Sequence, residues 1–309
     1  MKSWFKKLAT TCAIIALSPS AMLTATRAAE PAAAATPATT DADPALWVVK
    51  DKDTTIYLFG TVHVLKPGLG WFDEAVKTAF DKSDELMLEM VMPEDQAAMV
   101  KEMMPLAIDQ NGKTLSSRLD PEQLKAYQAA LASLGIAPAQ FDMFEPWFPA
   151  MTLSVLPLTK LGYDPEQGVE KLLTASAKKS AKPVVGLETL SQQLGYFDKL
   201  PESQQISFLN SVVRDLDKLG PQLDKMVLQW AKGDPDALAV TMNESLAETP
   251  ELAKVLLWDR NARWADQLKA RMDQPGTVFV AVGAGHLAGA KSVQDYLKER
   301  GMIAKRVKY

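Results

Sequence analysis

Two β-type stretches lie near opposite ends of the chain, and each runs into the same frame. They are Thr54-Thr-Ile-Tyr-Leu-Phe-Gly60, continuing to His63, and Thr277-Val-Phe-Val-Ala-Val282, continuing through Gly283 to His286. Each reads as a strand followed by Gly-x-x-His. The long region between them reads mainly as helix. Segments this far apart form one core only by pairing in one sheet, with the middle of the chain packed around it. The expected class is therefore α/β (α+β): a mixed sheet built from both ends of the chain, with a large helical insertion in the middle.

Further strands are expected at 45–50, 85–91, 182–186 and 303–307. Helices are expected at 70–82, 93–104, 121–133, 147–161, 165–180, 203–219, 221–231, 250–272 and 287–300. Prolines at or near several helix starts support these breaks. No internal repeat of fixed period is visible.

The first residues read differently. Met1–Lys7 is basic, Leu8–Leu17 is a compact apolar run, and Thr26-Arg27-Ala28 is a small-x-small cleavage site. This order is that of a secretory signal peptide spanning 1–28, and its apolar run is short for a bilayer span. An Ala-, Pro- and Thr-rich disordered tether is expected over 29–44, and a single domain over 45–309. The expected location is periplasmic or secreted, with no transmembrane anchor in the mature chain.

Lys2, Lys6, Lys7 and Arg27 are the only charged residues of the leader, so its removal takes the formal charge from −4 to −8. An acidic chain without a basic stripe is a poor nucleic-acid binder. The one cysteine, Cys12, falls in the leader. The mature chain therefore has no disulfide, thiolate nucleophile or cysteine-ligated zinc.

His63 and His286 are the only histidines. Gly60 and Gly283 let the chain leave the sheet at angles other residues resist. Each imidazole is then expected on a loop at a strand's carboxyl end, where open α/β sheets place ligands. His286 is also expected to begin a helix. Glu89, in the apolar strand Leu86-Met-Leu-Glu-Met-Val-Met92, is costly to bury unless paired or bound to a metal. Two histidines and a glutamate form a three-ligand set with an open position for water.

Arg260 and Asn261, in Asp259-Arg-Asn261, project either toward the sheet or into solvent. At the site, a guanidinium would hold an oxyanion or a substrate carboxylate. Glu188 either joins the site or caps the following helix, with capping slightly favoured. Six methionines between Met87 and Met104 suit Cu(I) in principle, but their spacing fits core packing.

On Leu58-Phe-Gly-Thr-Val-His63, Leu88-Glu89, Gly168-Val-Glu170, Val185-Gly-Leu-Glu-Thr189 with Gln193, Arg260-Asn261 and Gly283-Ala-Gly-His-Leu-Ala-Gly289, the chain resembles the TraB/GumN family. That family is related to the Tiki metalloproteases and more distantly to the erythromycin esterases. The resemblance implies an α/β fold with a site at His63, Glu89 and His286. It also implies, through the Tiki branch, a divalent-metal-dependent peptidase with Mn or Co; Zn fits the ligand set as well. The expected function is an exported hydrolase acting on a peptide or a small ester or amide. A metal-independent esterase using histidine-activated water, and a non-catalytic binder of a metal, metal chelate or peptide, remain alternatives.

Overall fold

The computed structural model describes residues 39–246 and 250–308. The expected signal peptide, and the expected tether up to residue 38, lie outside the described residues. The chain enters through β1 (Thr40–Asp41), β2 (Leu46–Lys50), β3 (Thr54–Thr61) and β4 (Leu69–Gly70). β5 (Glu85–Met90), β6 (Val184–Glu188), β7 (Gly276–Gly283) and β8 (Lys305–Arg306) follow. The main sheet has the order β6-β5-β7-β3-β2-β8. β6, β5, β7 and β3 are mutually parallel, while β2 runs antiparallel to β3 and β8 antiparallel to β2. The two ends of the chain thus meet at the sheet's centre, where β3 pairs with β7 from Thr54↔Gly276 to Thr61↔Gly283.

Alternation along these strands supplies both faces of the sheet. Phe59, Leu86, Leu88, Phe279 and Ala281 join Trp71, Phe80, Leu173 and Trp230 on one face. Ile56, Leu58, Val278, Val280 and Val282 join Trp264, Leu268 and Leu297 on the other. The helical middle builds its own core around Leu131, Phe144, Trp147, Phe148 and Leu209. Met99 and Met103 are buried there and Met90, Met92 and Met104 pack against it, as ordinary core residues.

Several boundaries differ from the sequence reading for local reasons. Order begins before residue 45, because Thr40–Asp41 pairs with Leu69–Gly70 and Ala42 is buried. The same pairing delays the next helix to Glu74–Lys82. The segment expected as one helix over 250–272 contains a π-helical turn, Lys254–Trp258, between Pro250–Ala253 and Asp259–Met272. Helices Leu190–Asp198 and Pro235–Leu246 add to those expected. His286 does not begin a helix: it sits in a single 3-10 turn, Ala284–Leu287, and the helix starts only at Val293. Among the described residues, no helix is long and apolar enough to cross a membrane.

Candidate functional site

Every candidate side chain arrives at the carboxyl end of the parallel strands. His63 follows β3, Glu89 lies near the end of β5, Glu188 ends β6, and Gly283 ends β7 ahead of His286. Arg260 and Asn261 project from helix Asp259–Met272, whose Trp264, Ala265 and Leu268 pack on the sheet. Both are buried, so the solvated-face alternative does not hold for them.

The two Gly-x-x-His elbows nest together. A Cβ at Gly60 would stand 3.0 Å from the Ala284 Cα, inside normal contact distance. The Gly60 carbonyl accepts from the Trp230 indole at 2.7 Å, which ties the helical middle to the first elbow. Gly168 permits a second close approach, since its Cβ would fall 2.3 Å from the His63 carbonyl oxygen. Gly168→Ala therefore pushes Glu170 away from His63. The expected cost is about 1–3 kcal/mol, as for overpacking elsewhere, read from thermal melts; an unchanged melting temperature would show that the elbow yields freely.

Both imidazoles are oriented through Nδ1. His63 Nδ1 donates to Glu170 Oε1 at 2.6 Å, and the Thr61 hydroxyl donates to the same oxygen. His286 Nδ1 donates to Asn261 Oδ1 at 2.5 Å, with the Asn261 amide turned by its own bond to the Lys291 carbonyl at 2.8 Å. His63 Nε2 is left for the site, while His286 Nε2 faces Arg260 Nη1 at 3.2 Å; anchoring through Nδ1 is the arrangement by which outer partners fix metal-ligating or basic histidines.

Three groups converge on the space above Gly283. A Cβ there would meet Glu89 Oε1 at 3.0 Å, His286 Cδ2 at 3.6 Å and His63 Nε2 at 3.9 Å. Glu89 Oε1 accepts from the Gly283 N–H at 2.6 Å and lies 3.6 Å from His286 Nε2.

Arg260 has a different part from the one the sequence suggested. Its Nη2 donates to Glu89 at 2.6 Å and to Glu188 at 2.7 Å, and its Nε donates to both Glu188 oxygens at 3.1 Å. Its Nη1 reaches the Leu256 carbonyl at 3.1 Å and His286 Nε2 at 3.2 Å. A guanidinium has five N–H donors, and these contacts engage all of them. None is left for an oxyanion or a substrate carboxylate, so Arg260 clamps Glu89 and Glu188. Glu188 likewise does not cap the next helix. Thr189 does so, accepting from the Gln192 N–H, while Glu188 takes bonds from Arg260, Tyr196 at 2.9 Å and Gln193 at 3.2 Å.

These contacts set the charge states. Burial is the largest influence on His286 and lowers its pKa to about 4; Glu89 opposes this and Arg260 reinforces it, so the ring is neutral near pH 7. Burial alone would raise the Glu89 pKa, but His286, Arg260, His63 and the Gly283 N–H outweigh it and hold the carboxyl well below the usual range. With His286 neutral, the fixed Arg260 charge is the dependable part of that attraction. Glu170 is the main cause of a raised pKa at His63. The His63 side chain keeps 71% of its surface exposed, and water moderates the pull.

This geometry lies inside a recognised sequence family. Residues 45–306 match the TraB/PrgY/gumN family. The chain belongs to that family. An uncharacterized protein of Escherichia coli strain K12, YbaP, is 26% identical over 255 residues, covering 82% of this chain and 92% of the relative. An uncharacterized protein of Treponema pallidum strain Nichols is 21% identical over 273 residues, covering 83% and 81%.

In this TraB-family chain, Glu170, Gln193 and Tyr196 are additions to the site candidates. Glu170 and Gln193 already stood in the stretches carrying the family resemblance, but neither was a site candidate. Tyr196 had no signal beyond its place on helix Leu190–Asp198.

Among the described residues no three His, Cys, Asp or Glu side chains form a ready-made ion cluster. The donor set still fits a divalent cation. It offers two imidazole rings, each held from behind, and one carboxylate oxygen, around a space where His63 presents Nε2, His286 presents Cδ2 and Glu89 presents Oε1.

Glu89→Gln separates two parts of this network. Gln keeps the shape and can still accept from Gly283, and Arg260 retains Glu188. The expected loss is about 1–3 kcal/mol, below the 3–5 kcal/mol typical of stripping a buried ion of its only partner. Melts of the chelator-treated variant measure it.

Proposed function

We propose that this protein is a hydrolase in which His63 Nε2, His286 Nε2 and Glu89 Oε1 hold one divalent cation of Mn, Co or Zn type. The observation that carries the reading is the convergence of these three groups above Gly283, with both Nδ1 atoms anchored by Glu170 and Asn261. When bound, such a cation lowers the pKa of a water and polarises a carbonyl.

The remaining work belongs to the chain. Glu170 and Asn261 hold the two rings, and neutral His286 has no proton to lose at Nε2, which Arg260 Nη1 releases when the cation binds. Arg260 and the Gly283 N–H keep Glu89 ionised and fix its direction. Gly283 keeps the centre open. A peptide is the substrate class we favour, with a small ester or amide next. An exported location follows from the leader sequence and belongs to the same proposal.

A second reading is supported by one observation: His63 is exposed and backed by Glu170 at 2.6 Å. Once pH exceeds the raised pKa of His63, this pair can take a proton from water as a general base without a cation. Peptide-library turnover by the purified full chain, with and without chelator, tests the proposal. Cleavage abolished by chelator and restored by Mn, Co or Zn is expected. Cleavage that survives chelation selects the general-base reading, and no cleavage under any condition overturns both.

The His63–Glu170 pair also sets a pH dependence of stability. A histidine whose pKa is raised on folding contributes fully below its unfolded value of about 6.5 and loses the contribution as pH rises through its folded pKa. Wild type should therefore exceed Glu170→Gln in melting temperature at pH 6, and the gap should narrow toward pH 9. A gap that widens over that range would contradict the pairing.

A further inference from the structure

We propose that the cavity beside His286 receives an apolar side chain of the substrate, of leucine, methionine or phenylalanine type, next to the bond that is cut. The inference rests on the hydrolase reading above and adds the substrate's chemistry to it.

The cavity encloses about 280 Å³ between helix Pro235–Leu246, the π turn and the loop after β7. That is close to the lower end of the ~300–1000 Å³ typical of small-molecule clefts, a volume for one side chain rather than a cofactor. Met242, Leu257, Trp258, Asn261, Gly285 and Ala288 form much of its wall. Among the described wall residues, the side chains are apolar or aromatic except for Asn261. That residue's Oδ1 and Nδ2 are already bonded to His286 and to the Lys291 carbonyl. The walls therefore favour an apolar occupant, because a polar group entering would leave water for few partners.

Two observations join this cavity to the site rather than to the general core. Asn261 and Gly285 belong to both: Asn261 orients His286 on one side and lines the cavity on the other, and Gly285 immediately precedes His286. A Cβ at Gly285 would lie 2.3 Å from Met242 Cε, so the flexible thioether closes directly over the histidine turn. The π turn is the second link. Its Leu257 and Trp258 face the cavity, while its Leu256 carbonyl accepts from Arg260 Nη1. π turns inside helices occur frequently at functional sites. The proposal seats the residue adjoining the substrate's scissile carbonyl in this cavity, which the site shares through Asn261 and Gly285.

The test uses blocked amino-acid amides, which need no turnover. N-acetyl-leucine amide, N-acetyl-glycine amide and N-acetyl-aspartate amide are titrated into the metal-free full chain by ligand-observed NMR. Leucine amide is expected to bind at least about tenfold tighter than either, the scale on which apolar pockets discriminate. Ala290→Leu, at an exposed position of the wall, should weaken leucine amide about tenfold. Leu257→Ala should shift preference toward N-acetyl-tryptophan amide, and guards against a filling variant that misfolds. Equal binding of leucine and glycine amides, or leucine binding unchanged in both variants, overturns the cavity's role. Selective leucine binding in a chain that cleaves nothing keeps the apolar pocket and sinks the hydrolase reading. Cleavage without apolar preference, unaltered by Ala290→Leu, sinks the pocket alone.

Discussion

Arg260→Met should destabilise the chelator-treated protein by about 3–5 kcal/mol at pH 7, the cost of leaving buried charge without its partner. Arg260 is 8% exposed and holds Glu89 and Glu188, whose side chains are 13% and 3% exposed. Methionine fills similar space and provides no charge. Two carboxylates then face each other with Gln193, Tyr196 and the Gly283 N–H to receive them, and the half-exposed Arg263 guanidinium 4.0 Å from Glu188. At the ~2–4 °C per kcal/mol of a large domain, the melting temperature should fall by roughly 6–20 °C. The gap to wild type should shrink as pH drops toward 5, because protonation of a carboxyl removes the unpaired buried charge left in the variant. A variant melting within about 2 °C of wild type at pH 7 would show that water, rather than Arg260, satisfies the two acids.

Gly283→Ala should have the opposite profile: near-normal folding and a failed site. The Gly283 backbone sits at φ −48°, ψ 134°, a conformation alanine adopts without strain. The added methyl meets no backbone outside its neighbours. It stands 3.0 Å from Glu89 Oε1 and 3.9 Å from His63 Nε2, in the space the three groups face. Glu89 must move by a few tenths of an ångström, and the centre is filled. Divalent-cation affinity and peptide cleavage should both fall by on the order of 100-fold, as when reacting groups are misplaced by about 1 Å. The melting temperature should stay within a few degrees of wild type. Retained cation binding and cleavage in Gly283→Ala would show that the space above Gly283 is not where the chemistry occurs.

The different fates of these residues explain what the sequence made legible. β3 and β7 were readable because each is a run of apolar, β-favouring residues closed by the same Gly-x-x-His frame. Pairing Thr61 with Gly283 then brings both histidines to one edge without further information. Glu89 stood out as a charge in an apolar strand. Arg260 was recognisable only as a residue on a helix, because its direction depends on the π turn that precedes it, and such a turn has no sequence signature. Glu188 reads either as a site residue or as a cap, because it stands beside a helix start; Thr189 does the capping and Glu188 joins the Arg260 network. Glu170 reaches His63 only because Gly168 admits the His63 carbonyl, a contact across more than a hundred residues. The helix expected from Leu287 starts only at Val293 because Gly289 and Lys291 take positive φ and Ser292 supplies the cap.

Cobalt titration of the desalted full chain, read by absorption and by equilibrium dialysis, tests most directly whether the two histidines and Glu89 share one cation. One ion per chain, with a spectrum of nitrogen and oxygen ligation lost in each of His63→Ala and His286→Ala, is the expected result. Wild type that retains no more cobalt than the double variant would contradict it.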